Sequence, residues 1–454
     1  MQTASFAATL RQRRQRLADR FKNPVVLWSG KPSARNFPAN VYPFRANSHF
    51  LYFAGLPLME TAIHLEGGNL TLFMDEATPA QALWHGPTPS RLDIAQKIGA
   101  AEALPLAELP HYTTAAATLR VQDATTAEQQ RQLLGRPTAP SETKDLALAK
   151  AIVQLRMVHD EAAIAAIRQA AAVSVQAHQT GMAATPTAKT EAEVRAAMEQ
   201  LILAHGMTCA YNSIVTVHGE VLHNEHYHHA LNPGNLLLAD VGAETATGWA
   251  SDITRTWPVS GKFAPTQRDL YEVVLAAHDA CIAQAKPGVE YRDLHLLACR
   301  ILAEGLVDIG ILKGKPADLV DQDAHALFFP HGVGHLLGLD VHDMEDLGDL
   351  AGYAEGRQRS DRFGLGFLRL DRPLQPGMAV TIEPGFYQVP GILNAPQRRE
   401  QYRDCVNWEC LEQFADVRGI RIEDDVLITE TGSEVITKDL PTTAEEIEAM
   451  VGRG

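Results

Sequence analysis

The chain has 454 residues, of which 46% are hydrophobic and 21% are charged, and its formal net charge is −15. This length allows two or three domains, and the composition is that of an ordinary soluble protein. The acidic charge disfavours general nucleic-acid binding, and no segment approaches the roughly 20 apolar residues that would span a bilayer. Five cysteines without a CxxC pair argue against both a disulfide framework and a thiolate metal site.

The first part of the chain, residues 1–145, mixes short strands with helical stretches and is predicted to form a smaller α/β domain. It opens with a predicted amphipathic helix in which basic residues follow the apolar ones. Because a secretory signal has the reverse order, we expect a cytoplasmic protein. A joint is predicted at Pro137, Pro140 and Ser141, followed by a second domain over residues 150–454.

Helical and strand signals alternate along this second domain, in the order helices, strands, helices, strands. That order predicts an α+β fold. The Gly- and Arg-rich stretch 351–368 is predicted to be an irregular insertion. The helical segments are 142–182 with a break near His159 and Asp160, 190–205, 266–286 and 291–310, and strand signals dominate 211–217, 235–259 and the region after Pro330.

Two aspartates flank a predicted hairpin. A run of three leucines leads into Asp240, and a turn-like stretch separates it from Asp252. The midpoint, Ala246, falls within that turn, so a hairpin would set the two aspartates roughly opposite each other, with Cβ atoms about 5 Å apart. Two anions at that distance repel unless a cation lies between them. The alternative is one aspartate in a turn and the other on a solvent-facing strand.

Two glutamates in the C-terminal part, Glu383 and Glu423, form a second pair of acidic candidates on strand-type segments. The strand-type run Met378–Ile382 ends at Glu383, and the proline that follows stops the strand. In the segment RGIRIEDDVLIT, alternation places Arg421, Glu423 and Asp425 on one face of a strand. Charged residues on an inward face are unusual for a plain core, although a solvated edge strand would also explain them.

Two further candidates lie in a glycine-rich segment between these pairs. In the run HGVGH, from His331 to His335, the glycines disfavour a helix, and the pattern is not HExxH. His335 fits either a metal ligand or a hydrogen-bonded histidine. His342, seven residues on, has the chemistry to move a proton near neutral pH.

Together these segments supply four carboxylates and one imidazole. Such a set can hold two divalent cations side by side, and two cations that share a water form the centre of a hydrolase. Hard oxygen ligands with one imidazole suit Mn²⁺, and Co²⁺ or Zn²⁺ are also compatible. The residues of this set are Asp240, Asp252, His335, Glu383 and Glu423.

These segments resemble the pita-bread metallopeptidases, a family that contains methionine aminopeptidases, aminopeptidase P, prolidase and creatinase. The match covers roughly residues 150–440, and the order Asp, Asp, His, Glu, Glu agrees with the family's metal ligands. The stretch YPFRANSHFLYFAGL resembles the N-terminal domain of aminopeptidase P and prolidase. The resemblance implies a catalytic pita-bread domain of two pseudo-symmetric αβ halves, preceded by a smaller α/β domain of the creatinase/aminopeptidase P type.

The resemblance also implies how the metals are shared. Asp240 and Asp252 would bind one metal, with Asp252 bridging, while His335 and Glu383 would bind the other. Glu423 would bridge both metals, which in this family are commonly Mn²⁺.

Further roles follow from the same resemblance. His223 matches a histidine that contacts the substrate or the transition state, and His342 matches one that moves a proton and steadies the tetrahedral intermediate. Glu383 is expected to accept the proton of the water and to pass it to the leaving nitrogen. Arg421 matches an arginine beside the last glutamate and is a candidate for substrate binding.

Arg369 decides which branch of the family we expect. The segment 366–377 resembles the prolidase segment whose arginine binds the C-terminal carboxylate of the substrate, and the long intervals between ligands also resemble prolidases. A dipeptidase needs a fixed cation where a longer substrate would continue, and arginine pairs bidentately with carboxylate. The alternative is that Arg369 is a surface residue on an inserted loop. We expect Phe386 and Tyr387 to help to shape a pocket for the proline ring.

The expected activity is hydrolysis of the peptide bond before proline in Xaa-Pro dipeptides. One alternative is aminopeptidase P activity on longer Xaa-Pro peptides, and another, from a different class, is a non-catalytic pita-bread binding module. The expected partners are small peptides with proline at the second position, with neither nucleic acid nor a membrane. Relatives with the additional N-terminal domain imply a homodimer.

Overall fold

The computed structural model describes residues 5–138 and 143–452. The chain divides into two compact units between Met157 and Val158. This division comes later than the domain limits predicted at 145 and 150, because the helix Thr143–Arg156 belongs to the first unit. Of the residues predicted to mark the joint, Pro140 and Ser141 lie outside the described residues.

The first unit contains one mixed sheet, one hairpin and six α-helices among its described residues. In chain order its elements are α1 Phe6–Arg20, β1 Val25–Trp28, β2 Ala34–Phe37, β3 Asn40–Val41, α2 Ser48–Ala54, β4 Ala62–Glu66, β5 Asn69–Phe73, α3 Pro79–His85, α4 Arg91–Ile98, β6 Glu102–Leu104, a 3₁₀ helix Leu106–Tyr112, α5 Ala124–Leu134 and α6 Thr143–Arg156. The sheet order is β1-β4-β5-β6, and only the β5–β6 pair is parallel.

The opening helix is amphipathic, as its sequence predicts, and its buried face includes two arginines. Leu10 and Leu17 lie on that face together with Arg13 and Arg14. The Arg14 guanidinium donates to backbone carbonyls at the ends of α2 and α4, among them Phe53 O at 2.9 Å. These carbonyls have no partner within their own helices, so the buried charge caps two helix ends.

The second unit contains the remaining elements. They are α7 Glu161–Ala184, α8 Glu191–Ala204, β7 Thr208–Cys209, β8 Ile214–Thr216, β9 Leu236–Asp240, β10 Ala243–Glu244, β11 Thr254–Pro258, α9 Pro265–Gln284, α10 Tyr291–Asp308, α11 Pro316–Asp321, two 3₁₀ helices Ala324–Leu327 and Glu345–Leu347, α12 Asp349–Gly352, β12 Ala379–Ile382, β13 Gly385–Tyr387, α13 Pro390–Leu393, α14 Pro396–Gln401, α15 Trp408–Glu412, β14 Gly419–Arg421, β15 Asp424–Ile428, β16 Ser433–Val435 and α16 Ala444–Val451.

These elements form two similar halves. The helix pair α7–α8 precedes the antiparallel sheet β11-β9-β8, and the pair α9–α10 precedes the antiparallel sheet β12-β15-β16. The break predicted near Asp160 is the start of α7, where the Asp160 carboxylate accepts from Ala163 N at 2.9 Å. The order of helices and strands that predicted an α+β fold is therefore present.

The region after Pro330 differs from its prediction. Strand signals dominate its sequence as far as the TETGSEVIT segment, but the structure places four α-helices there, α12 to α15, each of four to six residues. Helices this short carry too few apolar positions to show a clear period of 3.6 residues. Of the stretch 351–368 that was predicted to be irregular, residues 354–368 contain neither helix nor strand, whereas Ala351 and Gly352 belong to α12. No helix within the described ranges has the length and apolar character needed to cross a bilayer.

Candidate metal centre

A cavity of about 550 Å³ in the second unit brings the predicted site residues together. The metal-ligand candidates lie along its wall, and so do the residues predicted to bind the substrate or move protons. Sequence positions 200 residues apart therefore meet in one place. The predicted residues that line the cavity are His223, Asp240, Asp252, His335, His342, Arg369, Glu383, Arg421 and Glu423.

The two aspartates lie on a hairpin, but in a different register from the predicted one. Asp240 ends β9 and pairs with Thr254 of β11. The same register places Asp252 opposite Gly242, so the aspartates are diagonal neighbours and do not face each other directly. The predicted midpoint at Ala246 was one residue too early. Diagonal neighbours on an antiparallel pair still lie close enough for their carboxylates to share a ligand.

The two glutamates face each other across the second half. The register of β12 with β15 continues into that of β13 with β14, and it sets Glu383 opposite Glu423. Arg421, Glu423 and Asp425 are all buried, with exposed fractions of 4%, 2% and 0%. The solvated edge strand that remained open from the sequence is therefore wrong, and the charged face of this strand points into the protein.

Hydrogen bonds join the two halves at these residues. Glu423 N donates to Thr254 O at 3.0 Å, and Thr254 Oγ1 donates to Glu423 Oε2 at 2.6 Å. The buried Arg255 donates from Nη1 to Glu423 O at 2.6 Å. Asp425 Oδ1 accepts from Asp252 N at 3.1 Å. The first half thus fixes the main chain of Glu423, and the second half fixes that of Asp252.

His335 lies beside β12 with its ring oriented by the backbone. His335 N donates to Thr381 Oγ1 at 3.1 Å, and Nδ1 lies 3.0 Å from Leu336 O. Because a carbonyl oxygen only accepts, Nδ1 carries the hydrogen and Nε2 keeps its lone pair. Nε2 is 3.4 Å from Asp252 Oδ2 and 3.5 Å from Glu383 Oε1. This tautomer is the one that binds metals through Nε2.

The donor set fits a divalent cation. One ligand atom from each of Asp252, His335 and Glu423 lies within 4.8 Å of the other two. The Tyr211 hydroxyl contacts both Asp240 and Asp252. Glu383 Oε1 lies 3.5 Å from His335 Nε2. Carboxylate oxygens with a single imidazole are ligands that Mn²⁺ and similar cations accept.

Burial disfavours the ionised form of these carboxylates unless a positive charge lies nearby. Burial, together with the charge of Asp240, raises the pKa of Asp252 to about 7. Burial likewise raises the pKa of Glu383 to about 7. The pKa of Glu423 is raised well above its usual range by burial, with Asp252 and Glu383 adding to the shift. A cation among these groups would replace their protons.

We expect stabilisation by Mn²⁺ to grow as pH rises from 5.5 to 8. Since the folded-state pKa values of Asp252 and Glu383 are raised to about 7, the metal-free fold loses their stabilising contribution as pH rises through 7. Below pH 7 the cation must also displace protons, which weakens apparent affinity about tenfold per pH unit for each proton. Thermal unfolding with and without Mn²⁺ across this range measures the effect.

At each pH, the Tm without Mn²⁺ is subtracted from the Tm with Mn²⁺. This difference removes the contribution of groups that titrate in the same way in both forms of the protein. Buried histidines outside the cluster, such as His178 and His295, have pKa values lowered to about 4 by burial and affect both curves equally. An increase in Tm with Mn²⁺ that is the same at pH 5.5 and pH 8 would contradict the protonated state of the empty cluster.

Tyr211 is a site residue without a recognisable signal in the sequence. Its hydroxyl lies 2.5 Å from Asp240 Oδ1 and 2.5 Å from Asp252 Oδ1. A phenol has one hydrogen, so both contacts are hydrogen bonds only when one carboxyl is protonated. The Tyr211 hydroxyl therefore donates to one of the two carboxyl groups and keeps both close together.

Arg421 is placed to hold Asp240. Its three guanidinium nitrogens donate to Asp240 Oδ2 at 2.6 Å, Tyr387 Oη at 2.9 Å and Thr254 Oγ1 at 2.9 Å. Because each nitrogen already donates to the protein, this geometry favours a role in orienting a metal ligand over the predicted direct contact with substrate. The pairing of Arg421 with the first half also adds a charge contact between the two halves.

His342 and Arg369 form a second group in the cavity wall. The rings of His335 and His342 have centroids 4.2 Å apart. Arg369 Nη1 lies 3.1 Å from His342 Nδ1 and also contacts Glu345. The Arg369 side chain is 35% exposed. Arg369 therefore lines the cavity beside the metal-ligand candidates.

The apolar part of the cavity differs from the prediction. Phe386 and Tyr387 are buried at 1% and 0% exposure and do not line the cavity. Phe386 stacks on Phe328 instead, and the Tyr387 hydroxyl accepts from Arg421 Nη1 at 2.9 Å. The expected proline pocket must be built from other side chains. The apolar residues that line the cavity are Leu222, Pro330, Phe367, Val389 and Ile392.

Comparisons with known proteins agree with this architecture. The model of metallopeptidase family M24 matches residues 165–430, and the model of the aminopeptidase P N-terminal domain matches residues 10–123. The Xaa-Pro dipeptidase of Homo sapiens is 33% identical over 461 residues, covering 96% of this chain and 92% of that protein. A probable Xaa-Pro aminopeptidase of Verticillium alfalfae is 34% identical over 421 residues, covering 90% and 88%.

A solved structure shows the same fold. Aminopeptidase P from E. coli with the inhibitor Pro-Leu has a TM-score of 0.81 at 29% identity, and the match covers 98% of both chains. The fold and the buried carboxylate cluster define a two-domain metallopeptidase. The chain belongs to metallopeptidase family M24, and its first domain is of the aminopeptidase P type. The predicted family and fold class are confirmed, and membership disfavours a non-catalytic binding module.

Proposed function

We propose that this metallopeptidase is an Xaa-Pro dipeptidase. The observation that carries the proposal is the position of Arg369, a cation in the cavity wall next to His342. A dipeptide ends in a carboxylate one residue after the scissile bond, where an arginine could pair with it. Xaa-Pro dipeptidases are among the relatives that match almost the whole chain, which supports the same reading.

We propose two divalent cations as cofactors, most suitably Mn²⁺, with Co²⁺ or Zn²⁺ as substitutes. Asp240 and Asp252 would hold one, His335 and Glu383 the other, and Asp252 and Glu423 would bridge them. When bound, such a pair lowers the pKa of a shared water and polarises the scissile carbonyl. Three buried carboxylates, the partly buried Glu383 and one neutral imidazole are a charge set that this pair would balance.

The protein's own groups would manage the proton. Glu383 is the candidate acceptor for the water's proton, which it would pass to the leaving proline nitrogen. Glu383 lines the same cavity as the other ligand candidates, so its carboxylate lies beside the groups that would hold the water. His342 and His223, both in the cavity wall, would contact the carbonyl oxygen and the substrate.

The proposal is tested with Mn²⁺-loaded protein on three substrates: Gly-Pro, Ala-Pro and the tripeptide Ala-Pro-Ala. A dipeptidase releases proline from the first two substrates and cleaves the tripeptide much more slowly. Preference for the tripeptide would instead identify an Xaa-Pro aminopeptidase. That second candidate function is favoured by the aminopeptidase P structure, which matches this chain over 98% of its length.

Replacement of Arg369 by alanine tests the carboxylate site directly. We expect Arg369→Ala to raise KM for Ala-Pro about 10- to 100-fold, the loss of a charge-assisted contact of about 1.5–3 kcal/mol. KM for Ala-Pro-Ala should change much less. Arg168→Ala, which removes an exposed arginine paired with Glu434 outside the cavity, is the matched control. Equal increases in KM for both substrates would point to aminopeptidase P.

We further propose a cytoplasmic homodimer with small peptides as its partners. The cysteine usage supports the location, because five free cysteines without a CxxC pair are typical of a reducing compartment. Exposed apolar side chains of the first unit support association, because large exposed apolar groups often mark interfaces. These residues are Phe37, Met59, Leu83, Trp84 and Leu92, with exposed fractions between 55% and 82%.

A further inference from the structure

Glu345 is a carboxylate in the cavity wall to which neither the sequence nor the proposed chemistry assigns a role. It begins the 3₁₀ helix Glu345–Leu347, and its side chain is 51% exposed. Its Oε2 lies 2.5 Å from His342 Nδ1, and its Oε1 accepts from Arg369 Nη1. One carboxylate thus contacts both the candidate proton carrier and the candidate carboxylate-binding arginine.

We propose that Glu345 is an internal substitute for the substrate's C-terminal carboxylate, and that it also positions His342. In the substrate-free site it would occupy Arg369, and a dipeptide's carboxylate would then take its place there. This inference rests on the proposed dipeptidase function, because only a substrate with a carboxylate at that position competes with Glu345.

The charges of the cavity support the exchange. Arg359, another arginine of the cavity wall, donates to Asp349 at 2.6 Å and to the backbone at Leu368 O, so its donors are engaged. Arg369 has Glu345 as its acidic partner, and both side chains are partly exposed. Partly exposed ion pairs are weak, so an incoming carboxylate can replace one partner at small cost.

The second contact determines the tautomer of His342. The pKa of Glu345 is lowered to about 2, chiefly by its hydrogen bond with His342, so this carboxylate is ionised at neutral pH and can only accept. His342 Nδ1 therefore carries a hydrogen, and in the neutral ring Nε2 keeps its lone pair. Loss of such an orienting partner beside a reactive histidine typically lowers activity 10- to 100-fold.

Two substitutions separate these effects. Glu345→Gln removes the negative charge but keeps an oxygen that accepts from His342 Nδ1. We expect it to lower KM for Ala-Pro about fivefold, which corresponds to about 1 kcal/mol, with kcat within twofold of the original. Glu345→Ala removes the acceptor as well, so kcat should fall 10- to 100-fold.

The experiment measures kcat and KM of the Mn²⁺-loaded enzyme for Ala-Pro and for Ala-Pro-amide, which lacks the terminal carboxylate. The expected result for Glu345→Gln is a lower KM for Ala-Pro alone. Glu434→Gln, the same change in a half-exposed Glu–Arg pair outside the cavity, should leave both KM values unchanged.

The outcomes distinguish this inference from the proposed function. If the original enzyme cleaves Ala-Pro but Glu345→Gln shifts KM for both substrates equally, or for neither, the role of Glu345 is refuted and the dipeptidase function stands. If the original enzyme cleaves neither substrate, the proposed function fails and this inference fails with it. An unchanged kcat in a folded Glu345→Ala variant overturns the positioning of His342.

Discussion

Replacement of Glu423 by alanine is expected to lower kcat/KM at least a thousandfold. Glu423 is buried, contributes one of the three converging ligand atoms, and faces Glu383 across the sheet. Its predicted role is to bridge both cations, so its loss would remove a ligand from each. A thousandfold loss corresponds to about 4 kcal/mol of transition-state stabilisation. Asp252→Ala, the other predicted bridge, should have a comparable effect.

The measurement combines peptide hydrolysis with metal analysis of the purified variants. Glu434→Ala is the control, because it removes a glutamate from the same sheet at a half-exposed position outside the cavity. Full turnover by Glu423→Ala with unchanged metal content would refute the assignment of this residue as a ligand.

The second large effect is expected from Gly242→Ala, a change that removes no ligand. Gly242 lies opposite Asp252 in the hairpin, two residues after Asp240. A Cβ atom at this position would lie 1.9 Å from Ser251 O and 2.9 Å from the Tyr211 ring. Neither the opposite backbone nor the buried ring can move without separating the two aspartates. We expect a loss of about 3 kcal/mol of stability and of most of the bound metal.

Gly432→Ala provides the comparison, because a Cβ at that glycine meets nothing within 4 Å. Thermal unfolding and metal content of the two variants test the prediction. A native Tm with full metal occupancy in Gly242→Ala would mean that the hairpin tolerates a wider spacing than the structure gives it.

The ligand candidates could be predicted from the sequence because each of them lies in a recognisable local pattern. Asp240 ends an apolar run, and Glu383 lies between a strand and a proline. Their exact pairing was not accessible, because the hairpin turn is long enough to allow neighbouring registers. A shift of one residue in the turn separates the predicted facing pair from the observed diagonal pair of Asp240 and Asp252.

Residues that act through distant contacts left no sequence signal. Tyr211 meets Asp240 and Asp252 only after β8 pairs with β9, and an isolated tyrosine near a strand has many explanations. Glu345 reaches Arg369 across a segment that contains neither helix nor strand from residue 354 to residue 368, and no periodicity predicts the path of that segment. Arg421 was selected by resemblance, and only the three-dimensional contacts show that its donors are engaged by the protein.

The contacts between the halves also bear on how the chain folds. Arg421 and Asp240 are 181 positions apart, and Thr254 and Glu423 are 169 apart. Contacts of such long separation form late, because the intervening loop must first lose its freedom. During synthesis, the complete set of ligand candidates therefore cannot bind a cation until the C-terminal segments with Glu383 and Glu423 have left the ribosome. Metal uptake should accordingly be a late step that locks an assembled chain.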